Sequence, residues 1–434
     1  MTRVHVAQVR NLNSVMANLP NFKRNIIDMP VNLSVFENFN TIDGIKIGFT
    51  NAGVKQTSRP DIVIFELDET ASTAGIFTEN AFCAAPVQIS KKHLKEAQTR
   101  YLIINTGNAN AGTGKGGYED ALEICRAVAK EKGVAVEQVL PFSTGVIGER
   151  LPMAKILPVI PKALENMQAD KWFDASRGIM TTDTQPKGIS SQFEFEGQTI
   201  SISGISKGAG MIKPNMATML GFIATDAPVE KQILQEICSE LGNKSFNRIS
   251  IDGDTSTNDS CMLMASGTAN VELVNSTEQP LYALLKAELE KVFLYLAHAI
   301  VRDGEGATKF VAISVQNCEN SKEALRIAYT IAHSPLVKTA LFASDANWGR
   351  ILAAVGRSGV RDMDVDKINL FLDDVCIAEN GARAASYTEA AGAKVMAQAE
   401  LTIRVDMGRG QANETVWTTD LSHDYVTINA NYRS

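Results

Sequence analysis

The sequence contains few of the residues that usually mark a metal centre or a disulfide-stabilised fold. Its six cysteines are scattered along the chain without a CxxC pair. The histidines are too far apart to form an HExxH or similar motif, and they are His5, His93, His298, His333 and His423. These absences argue against a structural metal site and against a disulfide framework. We therefore expect free cysteines in a reducing compartment and no bound metal.

The chain also lacks an excess of basic residues and any long apolar run. The formal net charge is -7 over 434 residues, whereas nucleic acids and anionic membranes bind to basic surfaces. No apolar segment approaches the length of a membrane span. With 45% hydrophobic and 21% charged residues, the composition is that of an ordinary globular protein. We expect no nucleic-acid partner and no membrane partner.

Apolar patterning along the chain predicts a mixture of strands and helices. Strands are predicted over 61–67, 101–105, 192–206, 219–226, 368–378 and 400–408, and helices over 118–133, 280–304 and 321–335. The segment 192–206 is interpreted as a β-hairpin that turns at Glu196-Gly197. Strands and helices do not alternate strictly, which favours an α+β layered architecture with mixed or antiparallel sheets. A smaller C-terminal domain is predicted from about residue 310.

Two polar segments have some of the features of known ligand-binding motifs but fail on essential positions. NTGNANAGTGKGG has Ala109 where a P-loop needs Gly, and Gly116 where it needs Ser or Thr. DGDTSTND is followed by Leu263 where an EF-hand needs its final Glu, and Thr257 replaces the required Gly. Neither a nucleotide nor a calcium ion is therefore predicted.

Several Gly-rich polar loops nevertheless adjoin apolar segments. They are 105–117, 143–149, 207–218, 252–259 and 303–308. Loops of this kind bring backbone N–H groups close to a ligand, although a single one is more often a tight turn. Because five occur in one chain, we expect them to form a pocket together.

The loop KGAGMIKPNMATMLGF (207–222) places an Ala-Thr pair directly before a predicted buried strand. A Thr hydroxyl is a weak nucleophile unless a base removes its proton. If the chain breaks between Ala217 and Thr218, the new α-amino group lies beside its own hydroxyl and has a pKa suited to that task. Attack of the hydroxyl on the preceding carbonyl would make the break autocatalytic. Most Ala-Thr pairs do nothing, so the pair alone does not establish this chemistry.

This loop resembles the signature of the ornithine/glutamate N-acetyltransferases of arginine biosynthesis. The resemblance extends from about residue 30 to the C-terminus through further motifs in the same order. They are NTGNANAGTG, STGVIGERLP, MTTDTQPK, DGDTSTND, DGEGATK and INANYRS. The resemblance implies an α+β fold, a layered α/β/β/α-type sandwich of sheets between helices, with a smaller C-terminal α+β domain.

The resemblance also implies that the precursor cleaves itself between Ala217 and Thr218. An α chain (26–217) and a β chain (218–434) would then stay together, as an α2β2 heterotetramer. Residues 1–25 would be an N-terminal extension. In the implied ping-pong reaction, Thr218 takes an acetyl group from N-acetylornithine, ornithine leaves, and glutamate accepts the acetyl group. Some members of the family also use acetyl-CoA, which is a candidate co-substrate here, and no bound cofactor is implied.

Individual positions match the family's site residues. Thr144 and Gly145 match the oxyanion-hole pair, which the tetrahedral intermediates of acetyl transfer require. Lys207 matches a substrate-binding lysine suited to a carboxylate, and Thr181 matches a substrate contact, with Thr182 as the second choice. Their alternatives are a turn for residues 143–145 and a solvated loop charge for Lys207.

The remaining matched positions lie in the second half of the chain. Glu305 matches an acidic contact suited to the substrate amino groups, and its alternative is a carboxylate held by backbone N–H groups at a helix end. Asn429 and Ser434 match the last two contacts. Thr218 itself matches both the nucleophile and a substrate contact.

Two other functions share parts of this pattern. A self-cleaving amidase or aminopeptidase would have Thr218 and the oxyanion hole but would use water as the acceptor. A binding protein that kept the fold would remain one intact chain. The matches at Lys207, Thr181, Asn429 and Ser434 favour the transferase.

The location of the protein and one further cluster are open at this stage. We predict the cytoplasm, with the mitochondrial matrix as the alternative if residues 1–25 are a targeting peptide rather than a short helix or a disordered segment. Asp345, Asn347, Trp348 and Arg350 form a polar cluster in an apolar stretch. No role is assigned to that cluster, which is interpreted as a buried structural network.

Overall fold

The structure, a computed structural model, describes residues 30–55, 58–213 and 219–431. Within them the chain forms three β-sheets flanked by helices. The strands are β1 (Ile45–Thr50), β2 (Ile62–Leu67), β3 (Ser72–Phe77), β4 (Tyr101–Asn108), β5 (Val139–Val146), β6 (Lys187–Phe195), β7 (Gln198–Lys207), β8 (Leu220–Thr225), β9 (Ile249–Ser250), β10 (Ser260–Ala265), β11 (Phe310–Cys318), β12 (Asn369–Leu372), β13 (Val375–Glu379), β14 (Ala382–Arg383), β15 (Glu400–Asp406) and β16 (Ala412–Thr419).

The helices cover the outer faces of these sheets. They are α1 (Ala85–Glu96), α2 (Gly114–Lys132), α3 (Met153–Ile156), α4 (Ile160–Glu165), α5 (Trp172–Gly178), α6 (Lys231–Lys244), α7 (Pro280–Arg302), α8 (Ser321–Ala332), α9 (Pro335–Phe342), α10 (Trp348–Gly356), α11 (Glu389–Met396) and α12 (His423–Ala430).

The first two sheets pack face to face. The first has the strand order β1-β2-β4-β5 and the second has the order β3-β10-β8-β7-β6. Aromatic rings fill the space between them, since Phe222 lies 5.4 Å from Phe65 and 5.3 Å from Phe142 between ring centroids. Burial of such rings is a large part of the hydrophobic stabilisation of a core.

Helices cover the other face of each of these sheets. In β2, Val63 and Phe65 point into the space between the sheets, whereas Ile62 and Ile64 pack with the side chains of α1, α2 and α4. In the second sheet, Ile223 and Leu263 pack against α6 and α7. Because strand side chains alternate between faces, strands buried on both sides must be apolar throughout. The predicted α/β/β/α sandwich is confirmed.

A smaller α+β unit follows, built on the third sheet. Its strand order is β14-β13-β12-β15-β11-β16-β9, and α8, α9, α10 and α11 supply its core together with the strands. The predicted strand segment 368–378 is the hairpin β12–β13, which turns at Asp373 with a φ of 48°. The short strand β9 comes from the preceding part of the chain and pairs in parallel with β16. The smaller C-terminal unit of the predicted fold is thus present.

Local sequence signals account for several element boundaries. The hairpin β6–β7 turns at Glu196 and Gly197, with φ of 51° and 75°, as a two-residue turn between twisted strands requires. The helix α2 ends at Gly133, whose φ is 67°, and glycine tolerates this left-handed conformation. The helix α7 begins with Pro280, whose missing N–H is not needed in a first turn.

The polar cluster around residue 347 lies at the surface. Asn347 caps α10, because its Oδ1 accepts a hydrogen bond from the Arg350 N–H at 3.3 Å and its Nδ2 donates to Asp345 at 3.0 Å. The Arg350 guanidinium donates to the Leu336 carbonyl oxygen at 2.8 Å. Asp345 is exposed, and Asn347, Trp348 and Arg350 are only half-buried. The interpretation as a buried network is therefore wrong, because the cluster lies at the protein surface, where Asn347 caps a helix.

Among the described residues, no helix is both long enough and apolar enough to cross a membrane. The predicted boundaries at residues 25 and 217 lie outside the described residues and stay predictions, as do the chains they define.

Candidate active site

A single cleft brings together most of the residues that the sequence singled out. It is lined by Thr144, Gly145, Thr181, Lys207, Glu305 and Asn429, together with Thr182. All five Gly-rich loops contribute to its wall, including 105–117 through Ala109 and 252–259 through Asn258. Ala217, Thr218 and Ser434 lie outside the described residues. The roles of all these residues stay predictions. The structure shows that those lining the cleft lie close together.

The end of β5 presents backbone to the cleft, because Gly145 has no room for a side chain. Its φ is 135°, and an added Cβ would lie 2.2 Å from the carbonyl carbon of Gly107, its partner on β4. A side chain would have to push the two strands apart, so glycine is required. The neighbouring hydroxyl of Thr144 accepts a hydrogen bond from Lys207 Nζ at 3.5 Å. A backbone N–H and a hydroxyl at adjacent positions are the donor types that an oxyanion needs.

Lys207 is 4% exposed at the end of β7. Its Nζ is 4.0 Å from Asp183 Oδ2, which leaves the ammonium group with a distant rather than a tight partner. Burial lowers the pKa of Lys207. Among the nearby charges, the Asp183 carboxylate raises this pKa and the Lys187 ammonium lowers it. A buried ammonium without a close counter-ion is costly unless a ligand supplies an anion. The geometry therefore suits a carboxylate ligand.

Asp183 connects the cleft to a second, fully buried lysine. Lys187 Nζ lies 2.6 Å from Asp183 Oδ1 and 2.6 Å from Asp303 Oδ2. Asp303 also accepts hydrogen bonds from the backbone N–H and the hydroxyl of Thr184. Charges of opposite sign thus alternate from Lys207 through Asp183 and Lys187 to Asp303. We call these four residues the buried charge cluster.

The ionisation of the cluster is set by competition between burial and pairing. Burial opposes charge on Asp183, but the Lys187 and Lys207 ammonium groups outweigh it and hold the pKa of Asp183 below its usual range. Burial likewise opposes charge on Lys187, and the Asp183 and Asp303 carboxylates raise its pKa. Asp183 and Lys187 therefore each favour the charged form of the other, and the two depend on their pairing.

Asp183 also orders the backbone around the cleft. It accepts hydrogen bonds from the Thr181 N–H at 2.8 Å and from the Gly208 N–H at 2.7 Å. These bonds fix a predicted substrate contact and the residue after Lys207. Sequence reasoning missed Asp183, although the acid stands in the quoted motif MTTDTQPK four residues before Lys187.

A hydrogen bond between Asn429 and Glu305 connects two distant segments of the chain at the cleft. Asn429 on α12 donates from Nδ2 to Glu305 Oε2 at 2.8 Å. The Glu305 carboxylate also occupies the space beside Gly210, where an added Cβ would lie 2.4 Å from Oε2. Glu305 is 8% exposed and faces the same cleft as Lys207. The cleft thus offers one buried acid and one buried base, as a zwitterionic amino acid would require.

Two further residues near the cleft were not found from the sequence. Asn258 donates from Nδ2 to the carbonyl oxygens of Ala109 and Ser143, at 2.6 and 2.9 Å, and so ties three of the Gly-rich loops together. The side chain of Lys55 lies over Gly107, where an added Cβ would be 2.7 Å from its Cγ. Burial and the neighbouring Lys207 ammonium lower the pKa of Lys55 to about 8.

The described residues on both sides of 214–218 are firmly held. Before the segment, Asp252 accepts hydrogen bonds from the N–H groups of Met211 and Ile212, at 2.5 and 2.9 Å. After it, Leu220 pairs with Lys207 on β7 and with Ser260 on β10. The peptide that contains Ala217 and Thr218 is therefore joined at both ends to structure that also builds the cleft.

Within the described part of the chain, no group of three or more His, Cys, Asp or Glu side chains is arranged to hold a metal ion. The predictions of no metal and no bound cofactor stay predictions.

Known sequences are similar to this chain over nearly its whole length. The model of the ArgJ family matches residues 46–434. The Arginine biosynthesis bifunctional protein ArgJ of Pseudomonas fluorescens is 56% identical over 406 residues, which cover 94% of this chain and 100% of that protein. The protein of the same name from Psychrobacter arcticus is 52% identical over 403 residues, covering 93% of this chain and 99% of that protein.

Solved structures with similarity to parts of the chain include two relatives. The arginine biosynthesis bifunctional protein ArgJ of Bacillus halodurans is 37% identical, with a TM-score of 0.46, and the match covers 49% of this chain and 98% of that chain. The ornithine acetyltransferase of Mycobacterium tuberculosis, solved in complex with ornithine, is 30% identical with a TM-score of 0.36, over 40% of this chain and 93% of that chain.

Proposed function

The chain belongs to the ArgJ family, and from this premise we propose that it transfers an acetyl group from N-acetylornithine to glutamate through an ester on Thr218. Membership of the family makes the protein an acyltransferase of arginine biosynthesis. The substrates, the covalent intermediate and the self-cleavage are the parts that we propose.

One observation supports this function above the others. Thr144, Gly145, Lys207 and Glu305 come from distant parts of the sequence and line one cleft. The cleft adjoins β8. Met219, the described residue directly before β8, is bonded to Thr218. Each of these residues has a task in acetyl transfer between amino acids, and their convergence in one cleft supports this function.

Self-cleavage would create the nucleophile. The Thr218 hydroxyl oxygen bonds to the Ala217 carbonyl carbon, its proton leaves, and the Ala217–Thr218 C–N bond breaks as the Thr218 nitrogen is protonated. Water then hydrolyses the resulting ester, which leaves a carboxylate on Ala217 and a free hydroxyl and amine on Thr218. That amine is the general base for the transfer that follows.

Acetyl transfer would take place in two half-reactions. The Thr218 hydroxyl attacks the acetyl carbonyl of N-acetylornithine, the amine takes the hydroxyl proton, and ornithine leaves as that proton passes to its nitrogen. The amine of glutamate then attacks the acetyl ester and regenerates the Thr218 hydroxyl. Thr144 and Gly145 would stabilise the oxyanion in both steps, and one such donor contributes about 2.7–4 kcal/mol.

Other residues would orient the amino acids. Lys207 would bind the substrate carboxylate, with Thr181 beside it. Glu305 would bind a substrate ammonium group while Asn429 holds the carboxylate in place. We include Ser434 as a further contact on the family pattern.

The assembly, the co-substrate and the location are proposed on the same basis. We propose an α2β2 assembly of the chains 26–217 and 218–434, and acetyl-CoA as an additional acetyl donor. The relatives named above are bacterial proteins, which favours the cytoplasm over the mitochondrial matrix.

The first experiment is an intact-mass measurement of the purified protein under denaturing conditions. We expect two chains in place of the 46.9 kDa precursor, the second beginning at Thr218, and an added acetyl group on Thr218 after exposure to N-acetylornithine without glutamate. Thr218→Ala should give one inactive chain, because no hydroxyl remains to attack. Thr218→Ser should still cleave, because the hydroxyl is kept.

Three outcomes would contradict the proposal. Thr218→Ala protein that is both cleaved and active would exclude Thr218 as the nucleophile. Release of acetate from N-acetylornithine without glutamate, at the rate of transfer, would indicate the amidase or aminopeptidase. An intact wild-type chain that never becomes acetylated would indicate a binding protein.

A further inference from the structure

Lys55 is a cationic side chain beside the cleft to which the mechanism above gives no task. It stands in the loop between β1 and β2, and its side chain is half-buried. Within the described ranges of the chain, Lys55 forms no ion pair. A partly buried ammonium group without a close counter-ion costs free energy, which an anionic ligand would offset.

Hydrogen bonds to the backbone hold Lys55 beside the proposed oxyanion hole. Asp61 is 1% exposed and accepts hydrogen bonds from the N–H groups of Val54 and Lys55, at 2.7 and 3.4 Å. The side chain of Lys55 then covers Gly107, since an added Cβ on that glycine would lie 2.7 Å from Lys55 Cγ. Gly107 pairs with Gly145 across β4 and β5. The stem of Lys55 therefore lies one strand away from the cleft-lining glycine.

The charges around Lys55 leave a place for an anion. Burial lowers the pKa of Lys55, the Lys207 ammonium and the Arg59 guanidinium lower it further, and the Asp183 and Asp61 carboxylates raise it by smaller amounts. Both carboxylates already accept hydrogen bonds from backbone N–H groups. Positive groups gathered at the wall of a cleft attract anionic ligands.

The two proposed half-reactions need opposite charges for the substrate side chains. The side chain of N-acetylornithine ends in an ammonium group, whereas that of glutamate ends in a carboxylate. Glu305, which would bind the ammonium group, would repel that carboxylate. The Lys207 ammonium interacts electrostatically with Glu305 as well as with Lys55. An amino acid held by its α-carboxylate on Lys207 can therefore direct its side chain toward an acid or toward a base.

We propose that Lys55 binds the side-chain carboxylate of the acceptor glutamate and so determines the specificity of the second half-reaction. The inference rests on the proposed function, in which Lys207 holds the substrate carboxylate. The ornithine ammonium group then contacts Glu305, and the glutamate side chain contacts Lys55. The covalent steps are unchanged, because Lys55 only binds and orients the acceptor.

The test is steady-state kinetics with both substrates, carried out on cleaved protein. In a ping-pong reaction, the kcat/KM of each substrate reports its own half-reaction. Loss of a hydrogen bond to a charged group corresponds to a factor of about 10 to 150. We expect Lys55→Met to lower kcat/KM for glutamate by this factor and to leave kcat/KM for N-acetylornithine unchanged.

Glutamine separates a charge effect from a loss of structure, because it has the shape of glutamate without the second charge. The wild-type enzyme should prefer glutamate to glutamine as the acceptor, and Lys55→Met should lose this preference. Lys55→Arg should keep most of it, since the positive charge is retained. A damaged site would instead lower kcat/KM for both substrates and both acceptors alike, which would overturn the inference.

Two neighbouring cations serve as controls. Lys155 is exposed, and its Nζ donates to the Gly53 carbonyl oxygen of the same loop at 2.8 Å. Lys155→Met should have wild-type kinetics, and a selective loss for glutamate in this variant would overturn the assignment. Arg59 Nη1 lies 3.6 Å from Met180 Sδ. A selective loss in Arg59→Met with unchanged kinetics in Lys55→Met would place the carboxylate on the guanidinium and would also overturn it.

An unchanged ratio of the two kcat/KM values in cleaved Lys55→Met would overturn the inference and leave the proposed function intact. If Lys55→Met does not fold or does not cleave, the wild-type enzyme decides, through acetylation of its lysines with N-hydroxysuccinimide acetate and measurement of peptide masses. Saturating glutamate should protect Lys55 and not Lys155, and unchanged labelling of Lys55 would overturn the inference. A wild-type enzyme that transfers no acetyl group to glutamate would overturn both the inference and the proposed function.

Discussion

The buried charge cluster and the surface cluster at residues 345–350 are both groups of polar side chains joined by hydrogen bonds, yet they are built in opposite ways. Members of the buried cluster come from as far apart as Asp183 and Asp303, and Lys187 Nζ contacts both carboxylates at 2.6 Å. In the surface cluster Asn347 forms hydrogen bonds with Asp345 and Arg350, which are close neighbours in sequence. Local spacing is enough to build a helix cap. A buried pair of charges requires the whole fold to bring its members together.

The comparison predicts that the two clusters respond very differently to loss of one member. In the buried cluster a change leaves a buried charge unpaired. In the surface cluster water replaces whatever is lost. The three predictions that follow run from the largest expected effect to the smallest.

Lys187→Met should produce the largest loss of stability. It leaves Asp183 and Asp303 without their shared ammonium partner, and breaking a buried pair from one side costs about 3–5 kcal/mol. The free energy of unfolding, measured by urea titration, checks this value. Adding Asp303→Asn should recover part of the loss, because one unpaired charge is removed.

The matched control for this prediction is Lys92→Met, which removes a lysine from an exposed pair with Glu96 at 3.9 Å. Exposed pairs of this kind often contribute nothing measurable. Equal losses of stability in Lys187→Met and Lys92→Met would contradict the distinction between buried and exposed charges drawn here.

Lys207→Met should mainly reduce activity, because Lys207 is the member of the buried cluster that faces the cleft. Loss of a hydrogen bond to a charged group costs about 1.5–3 kcal/mol, which corresponds to a decrease of about 10- to 150-fold in kcat/KM. Steady-state kinetics on the cleaved fraction, identified by intact mass, measure it.

Lys92→Met again serves as the control and should have wild-type kinetics. An unchanged kcat/KM in cleaved Lys207→Met protein would mean that the substrate carboxylate binds elsewhere and that the cleft has been assigned wrongly.

Asn347→Ala should have the smallest effect. It removes the cap of α10 and should reduce the free energy of unfolding by about 1 kcal/mol, with no change in kcat/KM because the cap is not among the residues that line the cleft. Thermal unfolding and the transfer assay are the measurements. Asn347→Ser, which keeps a capping oxygen, should restore most of the loss. A decrease in activity without a loss of stability would show that the surface cluster has a function beyond capping.

Much of the fold was predictable from local patterns. Mainly apolar segments, such as 61–67, became strands buried on both faces, and Glu196-Gly197 became a hairpin turn. The segment 368–378 divided into two strands because its two aspartates form a turn, which the apolar pattern around them concealed. The joining of β9 to the third sheet has no local signal at all, since a two-residue strand depends on its partner.

The site was predictable to the extent that residues stand within ordered motifs. Thr144, Gly145, Thr181, Lys207, Glu305 and Asn429 were all named from such motifs and all line the cleft. Asp183 and Asn258 were missed, although both stand inside quoted motifs. Their importance lies in hydrogen bonds to backbone groups that are distant in sequence, which a motif does not display.

The sequence by itself determined the mixture of strands and helices through its apolar periodicity, and the family through motifs that are continuous along the chain. The four-layer fold and the residue types available for acetyl transfer were implied by that family resemblance. Only the tertiary structure decided that Lys187 pairs with Asp183 and Asp303 and that the cluster around Asn347 lies at the surface. The physical reason is that the ionisation and cost of a charged group depend on its burial and its neighbours. Those are properties of the packed molecule and not of the local sequence.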